Sequence, residues 1–360
     1  MLKVMHVVGA RPNFPKTAPI MEAMAARPRD FQQTLVHTGQ HYDYNMSNVF
    51  FEDLNIPQPD EFLNVGSASH AQMTAKIMTA FEPVVMARKP DWVFVVGDVN
   101  STIACALVCS KLGIKVAHVE AGLRSRDRTM PEEINRLLTD QIADLLFTPS
   151  RDGDANLVRE GVDPAKIKFV GNVMIDTLIK MLPKAIARPT LKELGLTPNH
   201  FIVTTLHRPS NVEEPAGLSE ILRSMATISA SMPVVFPVHP RTQQKIESLA
   251  PKLPDSLRLM EPLGYLDFMA LIHGAKLAIT DSGGIQEETT YLGIPCLTVR
   301  PNTERPITIT QGTNRLVSGR YDELVPAAHL AMKQDRAVRQ RPELWDGHTA
   351  ERIAEVMASL

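Results

Sequence analysis

Three acidic residues in the first half of the chain stand where a strand ends or a helix begins, and together they could perform acid–base chemistry. Asp98 follows the apolar run Trp92–Val96. Glu120 follows Lys115–Val119, and Glu132 opens a predicted helix. If such acids converge, their mutual repulsion separates their pKa values, so that one can act as a base and another as an acid.

Each of these acids also has a plainer interpretation. Asp98 could cap the helix that follows it. Glu132 and Glu133 come directly after Pro131, a residue type favoured at the first helical position, where acidic side chains complement the helix dipole. We expect the dipole to account for one of these two glutamates. Glu120 is harder to dismiss, because an acid directly after a buried strand must be solvated or paired.

Two cations follow the first predicted strand, Lys3–Val8, at the mouth of a strand-to-helix turn. They are Arg11 and Lys16. They could be solvated surface charges, but their position favours an anion-binding role. The turn is not a G-x-G-x-x-G fingerprint, and the sequence contains no G-x-x-x-x-G-K-[ST] loop, which argues against NAD or ATP chemistry.

The strongest local signal is the loop that opens with Asp281 and continues with Ser282, Gly283 and Gly284. Asp281 or Ser282 could cap the following helix, and the glycines would let a ligand approach the backbone closely. Backbone N–H groups at such a helix start, with the helix dipole behind them, form a diphosphate site. Glu288, one turn further, could accept hydrogen bonds from ribose hydroxyls. The pattern therefore favours a nucleotide over a simple tight turn.

Three more polar residues follow predicted strands in the second half. His207 follows Phe201–Leu206, and His239 follows Val234–Val238. Each histidine alone is as consistent with a structural role as with ligand binding, but two at strand ends favour binding. Arg305, beyond the strand Cys296–Val299, is a further candidate.

The elements that must position these residues alternate short apolar runs with longer amphipathic segments. Runs such as Val93–Val96 are apolar at every position, as strands covered on both faces should be. The alternation predicts an α/β fold of two Rossmann-like, doubly wound parallel sheets. Ligands of such sheets bind outside the carboxyl ends of the strands. The remaining predicted strands are Thr34–His37, Leu145–Thr148, Lys166–Val170, Leu257–Met260, Lys276–Ile279 and Arg315–Val317.

Two domains are expected, with the active site in the cleft between them. We place the N-terminal domain, carrying the carboxylates, at 1–171 and the C-terminal, nucleotide-binding domain at 172–346. A helix from Val173 to Met181 would lead across the boundary. Residues 347–360 look helical and could pack back on the first domain.

Composition excludes several other classes of protein. With 360 residues, 44% hydrophobic and 22% charged, the chain suits a globular protein of two α/β domains. A net charge of −2 argues against a nucleic-acid partner. No apolar run has the length of a membrane span, and the N-terminus does not resemble a signal peptide. A cytoplasmic location is therefore expected.

Cysteine usage and motif searches argue against a metal site. Cys105, Cys109 and Cys296 cannot form a disulfide framework, and we expect them to be packing residues. His118-Val119-Glu120 matches the H-x-E of zinc deaminases, but the partner P-C-x-x-C is missing. No G-x-S-x-G elbow occurs either.

Several long motifs in fixed order resemble those of one known family, the UDP-N-acetylglucosamine 2-epimerases of the non-hydrolysing type, over nearly the whole chain. The motifs are Gly9-Ala10-Arg11-Pro12, Gly97-Asp98, His118-Val119-Glu120-Ala121-Gly122-Leu123-Arg124, Pro131-Glu132-Glu133-Ile134-Asn135-Arg136, Asp281-Ser282-Gly283-Gly284-Ile285-Gln286-Glu287-Glu288 and Thr303-Glu304-Arg305-Pro306.

The resemblance implies a GT-B-like fold, a homodimer, a UDP-sugar substrate, and neither a metal nor a redox cofactor. Such enzymes invert C2 of UDP-N-acetylglucosamine to give UDP-N-acetylmannosamine through elimination and re-addition of UDP, for surface polysaccharide synthesis. The implied catalytic residues are Asp98, Glu120, Glu132 and His207. The implied UDP-binding residues are Arg11, Lys16, Ser282, Gly283, Gly284, Glu288 and Arg305, with His207 contacting the diphosphate.

The sequence also departs from the family pattern. Asn13 stands where many members have Glu, and His207-Arg208-Pro209-Ser210-Asn211 replaces a common His-Arg-Arg-Glu-Asn. Gln40-His41 matches a pair that some bacterial members use for a regulatory substrate molecule, but the Arg-Gln pair that accompanies it has no clear counterpart. Allosteric activation is therefore not expected.

Four alternatives remain open. The stretches His37–Met46 and Met130–Asp140 also resemble relatives that act on a UDP-2,3-diacetamido-uronic acid, whose carboxylate could pair with Arg124, Arg126 or Arg128. The others are a hydrolysing epimerase, a GT-B glycosyltransferase, which has no evident need for three clustered acids, and a non-catalytic sugar-nucleotide sensor.

Overall fold

The computed structural model describes residues 1–39, 53–336 and 341–360, which form two compact units. The first unit comprises Met1–Lys180 together with Glu343–Leu360, and the second comprises Met181–Pro342. The division falls inside one helix, whereas the sequence placed it after Gly171.

The first unit alternates strands and helices along its length. Its strands are β1 (Leu2–Val8), β2 (Phe31–His37), β3 (Glu61–Phe62), β4 (Trp92–Val96), β5 (Lys115–Val119), β6 (Leu145–Thr148) and β7 (Ile167–Phe169). Its helices are α1 (Phe14–Ala25), α2 (His70–Arg88), α3 (Asn100–Leu112), α4 (Pro131–Ile142), α5 (Arg151–Arg159) and, at the end of the chain, α15 (Thr349–Ala358). Helix α6 (Val173–Ile186) spans the division between the units.

The second unit repeats the alternation. Its strands are β8 (Ile202–Thr205), β9 (Val234–Pro237), β10 (Leu257–Met260), β11 (Leu277–Thr280), β12 (Cys296–Val299) and β13 (Asn314–Val317). Its helices are α7 (Thr190–Glu193), α8 (Pro209–Val212), α9 (Pro215–Ser229), α10 (Pro240–Leu249), α11 (Tyr265–Gly274), α12 (Gly283–Leu292), α13 (Ile307–Thr310) and α14 (Tyr321–Met332).

Both sheets are parallel and doubly wound, as predicted. Within the described residues the first sheet has the order β3-β2-β1-β4-β5-β6-β7 and the second β10-β9-β8-β11-β12-β13. Strand order therefore reverses between β1 and β4 in the first unit and between β8 and β11 in the second. These switch points are where ligands of such sheets bind.

The apolar strands are buried on both faces by helices. In the first unit, Met5 and Val95 pack on one side with Ile77 of α2, while Val4 and Phe94 pack on the other with Ile20 of α1. This two-sided burial explains why the strands are apolar at successive positions.

Five predicted strands have the bounds of the observed ones, namely β4, β5, β6, β10 and β12. The two-residue strand β3 was missed. It pairs only at the edge, where Val36 and His37 of β2 face Glu61 and Phe62, so its sequence carries no strand-length pattern.

The C-terminal helix α15 belongs to the first unit. Ile353 and Met357 are fully buried in the same cluster as Ile20 and Met24 of α1. Asp176 of α6 accepts a hydrogen bond from the Ala350 backbone N–H at 2.7 Å and so holds the first turn of α15.

In the described part of the chain, none of the helices combines the length and the apolar character that a bilayer span requires.

Candidate active site

The switch point of the first unit brings Glu120 and Lys16 together. Glu120 directly follows β5, and Lys16 lies in the first turn of α1, after β1. The Lys16 ammonium and the Glu120 carboxylate form an ion pair, and both side chains are buried. Gly97, after β4, lies beside this pair, since a Cβ there would stand 3.3 Å from both charged groups. A charged pair held out of water at a strand end is a feature of reactive sites.

Glu120 itself adopts an unusual backbone conformation. Its φ is +71°, in the left-handed region that residues with a Cβ rarely enter. Such a conformation costs on the order of 1–3 kcal/mol and persists only when the surrounding structure imposes it. The adjacent β6 does so in part, because the Glu120 and Ala121 N–H groups both donate to the Phe147 carbonyl, at 3.1 and 3.0 Å.

Asp98 is held by two residues of α4. Its carboxylate forms an ion pair with Arg136, and its backbone carbonyl accepts a hydrogen bond from Asn135 at 2.8 Å. The Asp98 side chain is 28% exposed, so one face remains accessible to a ligand.

The two neighbouring glutamates of α4 differ in their surroundings. Glu133 is buried and accepts hydrogen bonds from the Ser125 and Arg126 N–H groups at 3.0 and 2.8 Å and from Arg136 at 2.8 Å. Burial opposes its ionisation, but these donors outweigh burial and lower the pKa of Glu133. Glu133 is thus an anchor for the loop before α4. Glu132 is half-buried and forms no hydrogen bond or ion pair with the described residues.

Asn13 ties two strand ends together. Its side-chain oxygen accepts from the Gly9 and Ala10 N–H groups, each at 3.0 Å, and its amide donates to the Val96 carbonyl at 2.9 Å. A carboxylate could not donate this last bond, so Asn is the fitting residue here. Arg11 lies half-buried in the same turn.

A buried polar chain lies beneath these residues. His118 of β5 is fully buried, with Nδ1 2.6 Å from Asp140 and Nε2 2.8 Å from the Gly97 carbonyl oxygen. Asp140 also pairs with Arg124 at 2.7 Å and accepts from the Gly122 N–H at 3.1 Å. Burial opposes the ionisation of Asp140, but His118 and Arg124 outweigh it and lower its pKa.

Arg124 is therefore not available for a substrate carboxylate. Its side chain is buried between Asp140 and Glu160, with the second pair at 2.6 Å. Of the three arginines considered from the sequence, Arg126 and Arg128 are the exposed ones.

The second unit presents a helix start at its switch point. Ser282 occupies the N-cap position of α12, and its side chain makes no capping hydrogen bond. Gly283 packs against the Arg305 guanidinium, since a Cβ on Gly283 would lie 2.3 Å from Arg305 Nη1. Gly284 completes the first turn, half-exposed like the two residues before it. The arrangement suits a diphosphate.

Of the two residues expected to cap α12, Ser282 occupies the N-cap position, but neither it nor Asp281 caps the helix through its side chain. Asp281 is fully buried and points to the loop after β8, where it accepts from the Arg208 N–H at 2.9 Å and from Asn211 at 2.9 Å. Burial opposes its ionisation, but His207, Asn211 and the Arg208 N–H lower the pKa of Asp281. The carboxylate thus fixes the His207 loop beside the helix start.

His207 is oriented by this same carboxylate. Its Nδ1 lies 2.8 Å from Asp281 Oδ1, while 59% of its side chain is exposed. The other ring nitrogen, Nε2, is therefore the one available to a ligand.

Arg305 belongs to a buried chain of alternating charges. It pairs with Glu287 at 2.8 Å and with Glu304, and Glu304 also pairs with Arg300 at 2.7 Å. All four side chains are buried, so this series of ion pairs fixes the Arg305 guanidinium against the loop at Gly283.

Glu288 is also buried. Burial and the nearby Glu287 raise the pKa of Glu288 to about 8. A carboxyl group kept protonated near neutrality could both donate and accept hydrogen bonds, or could ionise when a ligand binds.

The remaining sequence candidates have structural roles or lie elsewhere. His239 caps α10, accepting from the Arg241 N–H at 3.3 Å. Cys105, Cys109 and Cys296 are free and buried. In residues 1–39, 53–336 and 341–360 no group of His, Cys, Asp and Glu is arranged to hold a metal ion. Gln40 and His41, and most of His37–Met46, lie outside the described residues.

Sequence reasoning missed the residues that hold the acids in place, above all Arg136, Asp140 and the role of Asp281. Spacing along α4 offered one clue, because Glu132, Arg136 and Asp140 recur every fourth residue and so lie on one face of the helix.

Known proteins resemble this chain over its full length. Residues 22–358 match the family described as UDP-N-acetylglucosamine 2-epimerase. A UDP-N-acetylglucosamine 2-epimerase of Methanocaldococcus jannaschii is 40% identical, with 99% of each chain covered. A UDP-2,3-diacetamido-2,3-dideoxy-D-glucuronate 2-epimerase of Pseudomonas aeruginosa is 41% identical, with 100% of each chain covered.

A solved structure agrees with both the fold and the sequence. The M. jannaschii UDP-GlcNAc 2-epimerase in complex with UDP-GlcNAc and UDP superposes with a TM-score of 0.92, at 39% identity and with 100% of both chains covered. The resemblance stated from the motifs is thus confirmed, and the chain belongs to the UDP-N-acetylglucosamine 2-epimerase family of isomerases.

Proposed function

We propose that this enzyme interconverts UDP-N-acetylglucosamine and UDP-N-acetylmannosamine without hydrolysing either. The observation that carries the proposal is the pair of carboxylates, Asp98 and Glu120, held at the ends of adjacent strands by Arg136 and Lys16. The names of the full-length relatives support the choice of substrate.

The chemistry explains why several acids are needed. C2 of the sugar has no adjacent carbonyl, so its proton cannot be removed to give a stabilised anion. Instead, a base takes the C2 proton, the C–H electrons form a C1–C2 double bond, and the C1–oxygen bond breaks to release UDP. UDP oxygen then attacks C1 of the glycal, and an acid returns a proton to the opposite face of C2. An acid and a base are therefore required at one carbon.

We assign these proton transfers to Asp98, Glu120 and Glu132. Glu120 lies beside Gly97, the residue before Asp98, and Glu132 stands on α4, the helix that holds Asp98. Glu132 forms no hydrogen bond or ion pair within the described part of the chain, which supports a role toward substrate.

We assign UDP binding to the second unit, with Arg11 and Lys16 assisting from the first. The leaving diphosphate gains negative charge, which the α12 N–H groups at Ser282, Gly283 and Gly284 would stabilise. Arg305 backs this loop, His207 offers Nε2 to the diphosphate, and Glu288 would accept from the ribose hydroxyls.

The deciding experiment is incubation with UDP-N-acetylglucosamine in heavy water, followed by NMR. Deuterium should enter C2 of both epimers at a rate close to that of epimerisation, with no lasting accumulation of free UDP. Epimerisation without C2 deuterium would exclude the elimination route. Free UDP rising in step with turnover would indicate a hydrolysing enzyme, and transfer of sugar to an acceptor would indicate a glycosyltransferase.

A second candidate substrate is a UDP-2,3-diacetamido-uronic acid. The full-length similarity to the P. aeruginosa enzyme favours it, and Arg126 and Arg128 are exposed cations in the loop before α4. Competition between the two UDP-sugars should separate the possibilities. If the uronate is preferred, Arg126→Ala and Arg128→Ala should raise its KM, while a control, Arg29→Ala, far along the chain in an exposed loop, should leave it unchanged.

We further propose that the enzyme works in the cytoplasm as a homodimer and supplies polysaccharide synthesis. The free, buried state of its three cysteines suits a reducing compartment. Light scattering of the purified chain tests the dimer, because a monomeric mass at working concentration would contradict it.

A further inference from the structure

Asp140 of α4 contacts both loops that carry the main candidate acids. Through His118 it reaches the Gly97 carbonyl, next to Asp98, and it accepts directly from the Gly122 N–H, two residues after Glu120. Asp140 and His118 are fully buried, so neither can touch substrate. Any effect of theirs on the reaction must pass through the residues they hold.

The geometry of the hydrogen bonds from Asp140 through His118 to the Gly97 carbonyl indicates which groups donate. A carbonyl oxygen only accepts, so His118 Nε2 must carry the hydrogen directed at Gly97. Asp140 faces Arg124 at 2.7 Å and the Gly122 N–H, both donors, which favour its carboxylate form. The His118 ring therefore bridges the Asp140 carboxylate, 2.6 Å from Nδ1, and the Gly97 carbonyl.

The loops that Asp140 holds need such support. Gly97 has a φ of +70°, Glu120 +71° and Gly122 +81°, so three left-handed residues lie within the two loops. Without a fixed hydrogen-bond partner, the Glu120 backbone would gain by relaxing to an ordinary conformation. A displacement of about 1 Å in a reacting group can cost roughly 100-fold in rate.

We propose that Asp140 and His118 are positioning residues, which set the places of Asp98 and Glu120 for proton transfer at C2. This inference rests on the proposed epimerase function. It assigns to two buried side chains a role in turnover and none in binding UDP, because neither contacts the groups assigned to the nucleotide.

The test compares Asp140→Asn with a matched control, Asp176→Asn. Asp176 is likewise a buried aspartate of the first unit, and it accepts a backbone N–H, that of Ala350, at 2.7 Å, but it contacts neither acid-bearing loop. Both variants should lose thermal stability. Asp140→Asn should also lose about 100-fold in kcat, with KM and UDP affinity within about 3-fold of wild type, whereas Asp176→Asn should keep kcat.

A spectroscopic measurement reports the contact between Asp140 and His118 independently of activity. In ¹⁵N-histidine-labelled full-length protein, the His118 ring-nitrogen resonances should shift in Asp140→Asn and stay unchanged in Asp176→Asn, because Asp140 lies 2.6 Å from Nδ1. The His118 resonances are assigned by their loss in His118→Gln. If Asp140→Asn does not fold, His118→Gln and Asp140→Glu provide the kinetic comparison, with the same expected loss in kcat at retained UDP affinity.

Three results would overturn the inference. They are near-normal kcat in a folded Asp140→Asn, an equal loss of kcat in Asp176→Asn at matched stability, or His118 ring resonances that do not change in Asp140→Asn. Failure of the proposed function looks different. In that case the wild type would not epimerise either UDP-sugar, while the NMR comparison would still report whether Asp140 holds the His118 ring.

Discussion

Both units are doubly wound parallel sheets, but the chemical groups presented at their switch points differ in the sign of their charge. In the first, carboxylates are presented and cations hold them, as Arg136 holds Asp98. In the second, an imidazole and backbone N–H groups are presented and carboxylates hold the loops, as Asp281 holds the His207 loop. One parallel sheet can thus serve proton transfer or anion binding, depending on which charge sign is buried and which is exposed.

The helices that start at the two switch points show how this arises. Asp98 stands just before Val99, the N-cap residue of α3, and its carboxylate pairs with Arg136 of α4. Ser282 at the start of α12 makes no side-chain cap, which suits an external anion there. The loop before α3 thus carries a carboxylate, whereas the start of α12 presents backbone N–H groups.

The comparison predicts that loss of an acid in the first unit affects turnover and not UDP binding. Glu120→Gln should lower kcat by about 10³-fold, since acid–base catalysis contributes on that scale. UDP affinity by calorimetry should stay within a few-fold. The control is Glu22→Gln, which breaks a surface pair with Lys180 and should change neither quantity. Near-normal turnover in Glu120→Gln would remove this residue from the mechanism.

In the second unit, the buried Asp281 should contribute more to the free energy of unfolding than to the catalytic rate. Asp281→Asn should lower the unfolding free energy by about 3 kcal/mol at neutral pH, because it breaks a buried, multiply bonded carboxylate. The Asp281 pKa is lowered in the folded protein, so its contribution is present above the unfolded value and lost as pH falls through the folded one. Denaturant unfolding at pH 7 and pH 3 should show the difference shrink in acid, whereas exposed Asp322→Asn should have little effect at pH 7.

Adding a side chain to the loop at Gly283 should weaken UDP binding, just as Glu120→Gln should slow catalysis. In Gly283→Ala the new Cβ would stand 2.3 Å from Arg305 Nη1 and 2.9 Å from Glu304 Oε1. The loop must shift, so UDP affinity should fall roughly 10- to 100-fold, or about 1.4–2.8 kcal/mol. Gly217→Ala is the control, because its nearest neighbour is 3.9 Å away. Unchanged UDP affinity in Gly283→Ala would separate this loop from the diphosphate.

The smallest expected effect concerns Glu288, whose pKa is about 8. Because the folded pKa lies above the unfolded value, the protein should lose stability as pH rises from about 4.5 to 8. Glu288→Gln should remove that slope and lower UDP affinity by only about 3- to 10-fold.

If ribose hydroxyls require the ionised form of Glu288, UDP binding near pH 7 should release a proton. Calorimetry in buffers of different ionisation enthalpy measures this release. Its persistence in Glu288→Gln would assign the proton to another group.

Most of the architecture could be predicted from the sequence, because strands buried on both faces are recognised by unbroken apolar runs such as Val93–Val96. Strand ends then located Asp98, Glu120 and the Ser282 loop without any structure. What stayed hidden was pairing across distant segments. Asp281 was one of two candidates to cap α12, yet its carboxylate binds the His207 loop.

The positive φ of Glu120 was also invisible in the sequence, because a glutamate carries no local signal for a left-handed conformation. Nor could local spacing reveal that Arg124 is neutralised by Asp140 and Glu160, which lie 16 and 36 residues further along the chain. These contacts depend on tertiary packing, and they decide which of the predicted charges remain available.

The position of α15 has a consequence for how the protein is made. Ile353 and Met357 complete the core around Ile20 and Met24, yet the ribosome adds them only after the entire second unit. Domains commonly fold in order as they emerge during translation. Here the apolar face that α15 covers stays exposed on the first unit while the 162 residues of the second unit are synthesised. Nascent chains stalled before Thr349 should therefore bind chaperones through that face.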